Sequence, residues 1–90
     1  MKIKDGFILR KIADTDMVVP IGDNIAYFNG IISLNETAAF LWKKLSEGVE
    51  TSALTEALME TYQISREVAE ADTEQFIYQL REAAILADNL

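Results

Sequence analysis

The chain of 90 residues predicts an α+β domain, an antiparallel sheet of three to four short strands followed by three helices. Three observations carry that prediction. Runs of β-branched and aromatic residues broken by turn letters fill the first third of the chain. From Ala38 onward apolar residues recur at helical spacing. The two regimes meet without a loop in Ile31–Trp42, IISLNETAAFLW, where a strand feeds directly into a helix. The length fits a single domain over residues 1–90, with the sheet in 1–34 and the helices in 35–90.

In chain order, residues 1–6 read as a loosely ordered polar lead-in. Phe7–Ile12 is a first strand whose alternation leaves open which face is buried. Ala13–Asp16 reads as a polar turn and Met17–Ile21 as a second strand, making a hairpin. Pro20 offers no amide hydrogen and belongs at a strand end or an edge. Gly22-Asp23-Asn24 is a further turn. Ile25–Phe28 and Ile31–Leu34 flank Asn29-Gly30, a strong hairpin signal because a type I′ turn needs positive φ at both central residues. Ile31–Leu34 comes last and is therefore expected at the sheet edge.

Ser33-x-x-Glu36 has capping-box spacing, and Asn35 is itself a good N-cap. The first helix is expected from Glu36 to Ser46, with Gly48 as its αL stop. Thr51 or Ser52 should cap a second helix carrying Leu54, Leu58 and Tyr62 on one face. Ser65 should cap a third, running from Arg66 to Leu86, with Ala69, Thr73, Phe76, Leu80 and Ala83 in one stripe. Trp42 and Phe76 are expected in the core. Tyr78 falls off the stripe, on a ridge shared with Glu74 and Arg81.

Composition excludes more than it selects. Half the residues are apolar and 26% are charged, a globular balance and not a disordered one. No run reaches the roughly 20 apolar residues of a membrane helix. The N-terminus lacks the order of a signal peptide, which implies a cytoplasmic protein. Cysteine and histidine are both absent, so disulfides, thiolate chemistry, zinc sites and the usual general base are not expected. The serines fall mainly at helix ends, and the four glycines are isolated. No catalytic residue, metal site or cofactor is expected, and the chain does not read as an enzyme.

The net charge of −7 is confined to the helical part, because residues 1–34 hold four bases against four acids. Strands with three helices at this size fit a winged helix-turn-helix-like architecture, hence a DNA-binding regulator. Yet Thr51–Tyr62 holds Glu56 and Glu60 with no base, and the third helix is dominated by acids. Such helices repel a phosphate backbone, so no nucleic-acid partner is expected.

The order Gly6-Phe7-Ile8-Leu9-Arg10, Val19-Pro20-Ile21-Gly22, Phe28-Asn29-Gly30-Ile31-Ile32-Ser33-Leu34-Asn35-Glu36-Thr37 and Leu41-Trp42 resembles the PqqD-like family. The resemblance continues through Ala57-Leu58, Tyr62, Ala71-Asp72 and Phe76 to Leu80. It implies a RiPP recognition element, a non-enzymatic peptide chaperone. Such a domain binds the leader of a ribosomally made precursor peptide by strand addition and presents it to a modifying enzyme, often a radical SAM protein. The leader would lie along Ile31–Leu34 against the third helix. Its expected contacts are Phe28, Ile31, Ile32 and Ser33 on the strand side, and Glu74, Tyr78 and Arg81 on the helix side. The acidic third helix adds an expected preference for Lys or Arg in the leader. Ile32→Pro is the substitution this reading selects to block binding. A dimer through the same sheet edge is the competing use of that surface.

Overall fold

The computed structural model describes residues 2–22, 25 and 32–87. The elements are β1 (Lys2–Ile3), β2 (Phe7–Ile12), β3 (Thr15–Pro20), β4 (Ile32–Leu34), α1 (Glu36–Ser46), α2 (Thr51–Tyr62), α3 (Arg66–Glu82) and β5 (Leu86–Ala87). Among the described residues the principal sheet is antiparallel, in the order β2-β3-β4, with β4 at its edge, where its position in the sequence put it. Of the strand expected at Ile25–Phe28, only Ile25 is among the described residues, where it is exposed and not in a strand; the Asn29-Gly30 turn lies outside them.

β2 and β3 pair from Phe7↔Pro20 to Ile12↔Thr15, joined by Ala13 and Asp14 alone. Both have positive φ, 50° and 67°, as a two-residue type I′ turn requires. Thr15 and Asp16, expected in the turn, are instead the first residues of β3, and Lys11 pairs with Asp16 at 3.7 Å. Pro20 ends β3, past the last described pair with β4, Val18↔Ile32, as a residue without an amide hydrogen suits a strand end. The register puts Phe7, Leu9, Val18, Ile32 and Leu34 on one face. That face packs on the helices, with Val18 wholly buried. The buried side of β2 is therefore that of Phe7 and Leu9.

α1 begins at Asn35, whose Oδ1 accepts from the Ala38 amide at 2.9 Å. Ser33 of the expected capping box is in β4 instead, so Asn35 alone serves as cap. At the other end, Gly48 has φ +93°. The amides of Gly48 and Val49 donate to the carbonyls of Leu45 and Lys44, which is a Schellman closure. α2 starts after Glu50, which makes no side-chain cap bond, and Thr51 and Ser52 lie inside the helix. α3 is capped as expected, Ser65 Oγ accepting from the Val68 amide.

α1 and α2 meet where the Phe40 and Tyr62 rings stand edge to face, 5.4 Å between centres. Burial, and then the nearby Glu36 carboxylate, raises the Tyr62 hydroxyl above its ordinary pKa. Arg66 reaches back to Glu56 and joins α2 to α3. Leu41, Trp42, Leu54, Leu58, Phe76 and Leu80 form the centre of the core.

The two ends of the chain correct the expectations drawn from them. α3 stops at Glu82, short of Leu86, because Ala84 turns left-handed at φ +57°. The amides of Ala84 and Ile85 then donate to Arg81 and Leu80, a second Schellman closure without its usual glycine. The turn brings Ile85 and Leu86 into the core and sets β5 against β1, Ile3↔Leu86 and Lys2↔Ala87. Lys4 extends that ladder by donating to the Ile85 carbonyl at 2.7 Å. The lead-in is thus a strand, held by a partner more than eighty residues away that local patterning could not indicate.

A side chain with a Cβ is strained in the αL region. Ala84→Gly is therefore expected to stabilise the fold by about 0.5–1 kcal/mol, relief of strain exceeding the added chain entropy. A rise in the urea midpoint with unchanged slope is the measurement that checks it.

Candidate functional site

β4 is three residues long, and among the described residues only one of its sides is paired within the sheet. Its register on β3 is Val18↔Ile32, Met17↔Ser33 and Asp16↔Leu34. The Ser33 carbonyl accepts from Gln79 Nε2 of α3 at 2.9 Å, outside the β3 ladder. In an antiparallel strand the N–H and C=O of one residue point the same way, and neighbours point oppositely. The Ser33 N–H therefore also faces outward, while Ile32 and Leu34 turn theirs to β3. One residue with an outward donor and acceptor is the backbone handle an added antiparallel strand requires.

Local chemistry fixes this handle in place. Leu34 is buried and Asn35 caps α1 at once, so the end of β4 is tied to the helix layer without slack. α3 is positioned by Phe76 and Leu80, which are 1% and 0% exposed. Between these elements runs a groove of about 230 Å³. Ser33, Asn35, Thr37 and Ala38 line it from β4 and the start of α1, and Asp72, Gln75, Phe76 and Gln79 line it from α3. Phe76 supplies an apolar floor shared with the core. Among the described residues Asp72 is the only ionisable side chain in the lining, which gives the groove a negative wall. A larger recess, about 860 Å³, lies between residues 2–7 and the α1–α2 turn and includes no residue of β4.

Of the contacts expected from sequence, Phe28 and Ile31 lie outside the described residues. Ile32 is half-buried and faces the helices, and Ser33 is exposed at the edge. Glu74, Tyr78 and Arg81 are all exposed, Tyr78 by 62%, but none lines the groove. At about 100° per residue they follow a ridge on the side of α3 away from Asp72, Gln75 and Gln79. The groove-lining set has i, i+3, i+4, i+7 spacing and flanks the core stripe of Ala69, Thr73, Phe76 and Leu80. That flank was the available signal. A groove beside a packed helix is walled by positions next to its buried stripe, not by those opposite it.

Among the described residues there is no cluster of three or more His, Cys, Asp or Glu placed to hold a metal ion, and no helix long and apolar enough to cross a membrane.

Comparison with known proteins bears on the same architecture. The family model described as Coenzyme PQQ synthesis protein D (PqqD) matches residues 11–86. No curated protein matches the chain. Among solved structures, TbiB1 in complex with the TbiA(beta) leader peptide is similar at 21% identity and a TM-score of 0.77, over 100% of this chain and 99% of that one. Lasso peptide synthetase B1 complexed with the leader peptide is similar at 18% identity and a TM-score of 0.74, over 97% and 96%.

Proposed function

The chain belongs to the PqqD family, and we propose that it binds the leader of a ribosomally made precursor peptide and presents it to a modifying enzyme. The observation that carries this reading is the outward backbone of Ser33 on an edge strand, facing a groove walled by α3. Both similar folds are described as bound to leader peptides, which supports the same use of this one. The leader adds as a strand to β4, exchanging backbone hydrogen bonds with Ser33 and sending alternate side chains into the groove. Affinity then comes mainly from backbone pairing and apolar contact with Phe76 and Ala38, and selectivity from the groove wall. This role requires no catalytic group, and a radical SAM protein is the class of enzyme that fits as recipient.

Within the contacts proposed from sequence, Ser33 holds the backbone and Ile32 flanks the peptide. Phe28 and Ile31 stay in the proposal as contacts read from the sequence alone. Glu74, Tyr78 and Arg81 form an outer ridge, suited to a longer peptide or to the enzyme that receives it. The basic preference expected of the leader is assigned to Asp72 in the groove. Asp72→Lys should weaken binding of peptides carrying Lys or Arg at the groove-facing position by about fivefold to tenfold at low salt. The difference should shrink as ionic strength rises. Fluorescence anisotropy with matched Lys and Gln peptides reads both effects, and equal loss for the two would remove the charge assignment.

The proposal as a whole is tested by isotope-edited NMR of the chain with the short peptide encoded nearest to it. Intermolecular contacts should place that peptide beside Ser33 and Gln79. Contacts confined to other surfaces would refute strand addition at β4.

A further inference from the structure

The outward carbonyl of the docking edge is already occupied. Gln79 Nε2 lies 2.9 Å from the Ser33 oxygen, the length of an ordinary ladder bond. That nitrogen therefore stands where the backbone nitrogen of an added strand would stand. The two residues are 46 apart in sequence and their bond is exposed to solvent, so neither chain connectivity nor burial imposes it. We infer that Gln79 is a placeholder: its carboxamide closes the β4 edge until a peptide offers a backbone N–H to Ser33, and it then swings aside. The inference rests on the strand-addition reading above and adds a residue that sets the threshold for it.

The chemistry of a carboxamide suits this task. It donates to a carbonyl as a peptide N–H does, and it brings no charge that an incoming strand would have to desolvate. Three side-chain torsions let it leave while the helix stays where it is. Phe76 and Leu80, which hold α3 to the core, are separate side chains and need not shift. A Lys at this position would put a permanent charge on the edge, and a Glu would repel the carbonyl it faces.

Two consequences follow for selectivity. A peptide gains at Ser33 only the difference between its own bond and the one it displaces, so weakly complementary strands are turned away. A second copy of β4 meets a higher barrier, because pairing two edges at Ser33 requires both carboxamides to leave. The cap thereby favours peptide over self-association on a surface that would otherwise invite either.

Display selection of random short peptides on the intact chain supplies probes for the test. Gln79→Met keeps side-chain length and helix propensity and removes the donor, so the fold is retained. The variant should bind the selected peptides about twofold to tenfold more tightly than the wild-type chain. Unchanged affinity overturns the placeholder role; weaker affinity also overturns it and makes Gln79 a direct peptide contact. Ser33→Pro separates this outcome from the parent reading. Peptides that bind Ser33→Pro as well as the wild type sink strand addition itself. Peptides lost on Ser33→Pro but not tightened by Gln79→Met sink only the placeholder.

Discussion

Ser33→Pro is expected to remove peptide binding while leaving the domain folded. Proline deletes the N–H that faces outward at the edge, where the β3 ladder makes no use of it. An added strand loses one of its two bonds to Ser33 and meets the pyrrolidine ring in its path. The cost is about 2 kcal/mol or more, roughly thirtyfold in Kd. Thermal melting should stay within a few degrees of the wild type. Ile32→Pro, the substitution that sequence reasoning selects, differs in kind. Ile32 turns its amide to β3, opposite Val18, so proline there breaks the sheet and confounds lost binding with lost structure. Titration of both variants with one peptide, alongside their melting curves, distinguishes the two cases. A peptide that binds Ser33→Pro with native affinity does not add to β4.

The second large effect is on stability. Phe76→Ala should destabilise the domain by about 3–5 kcal/mol, against a total of roughly 5–13 kcal/mol for a chain of this size. The ring is 1% exposed and also forms the groove floor. Truncation therefore opens a cavity that joins core to groove. Urea denaturation followed by far-UV dichroism should show the midpoint falling by about a quarter or more. Phe76→Leu retains most of the apolar contact, costs about 1–2 kcal/mol, and reshapes the floor without unfolding it. A loss of affinity in that variant reports on the groove separately from the fold. A fall below about 1 kcal/mol for the alanine variant would place Phe76 outside the core.

What could be read from the sequence follows from how local each signal is. Phe7–Ile12 and Glu36–Ser46 have the bounds expected of them, because alternation, Asn35 and Gly48 are signals within a few residues. The left-handed turn at Ala13 and Asp14 was not legible in detail, since neither is the Asn or Gly that usually announces positive φ. Ala84 hid the end of α3 for the same reason: alanine is the best helix former, and tertiary pull on Ile85 and Leu86 overrides it. For the candidate site, the position of β4 beside β3 was legible from chain order, with Ser33 and Ile32 in that strand. The helix wall was not. Choosing Glu74, Tyr78 and Arg81 took the residues left over from the buried stripe, whereas the groove uses those beside it. Gln79 gave no signal in one dimension, because its partner is a backbone atom in another element.

The β1–β5 ladder imposes an order on how the protein is made. Lys2 and Ile3 are synthesised more than eighty residues before their partners Leu86 and Ala87. While the chain is still growing, Ile3 has no strand to pair with. Among the described residues the groove beside β4 uses none beyond Gln79, so its walls are present on the nascent chain before β1 and β5 can meet. Pairing of β1 with β5 is then a late step, reached only after residue 87 clears the ribosomal exit tunnel. A ribosome stalled just short of that point would display β4 on a domain not yet fastened by that ladder.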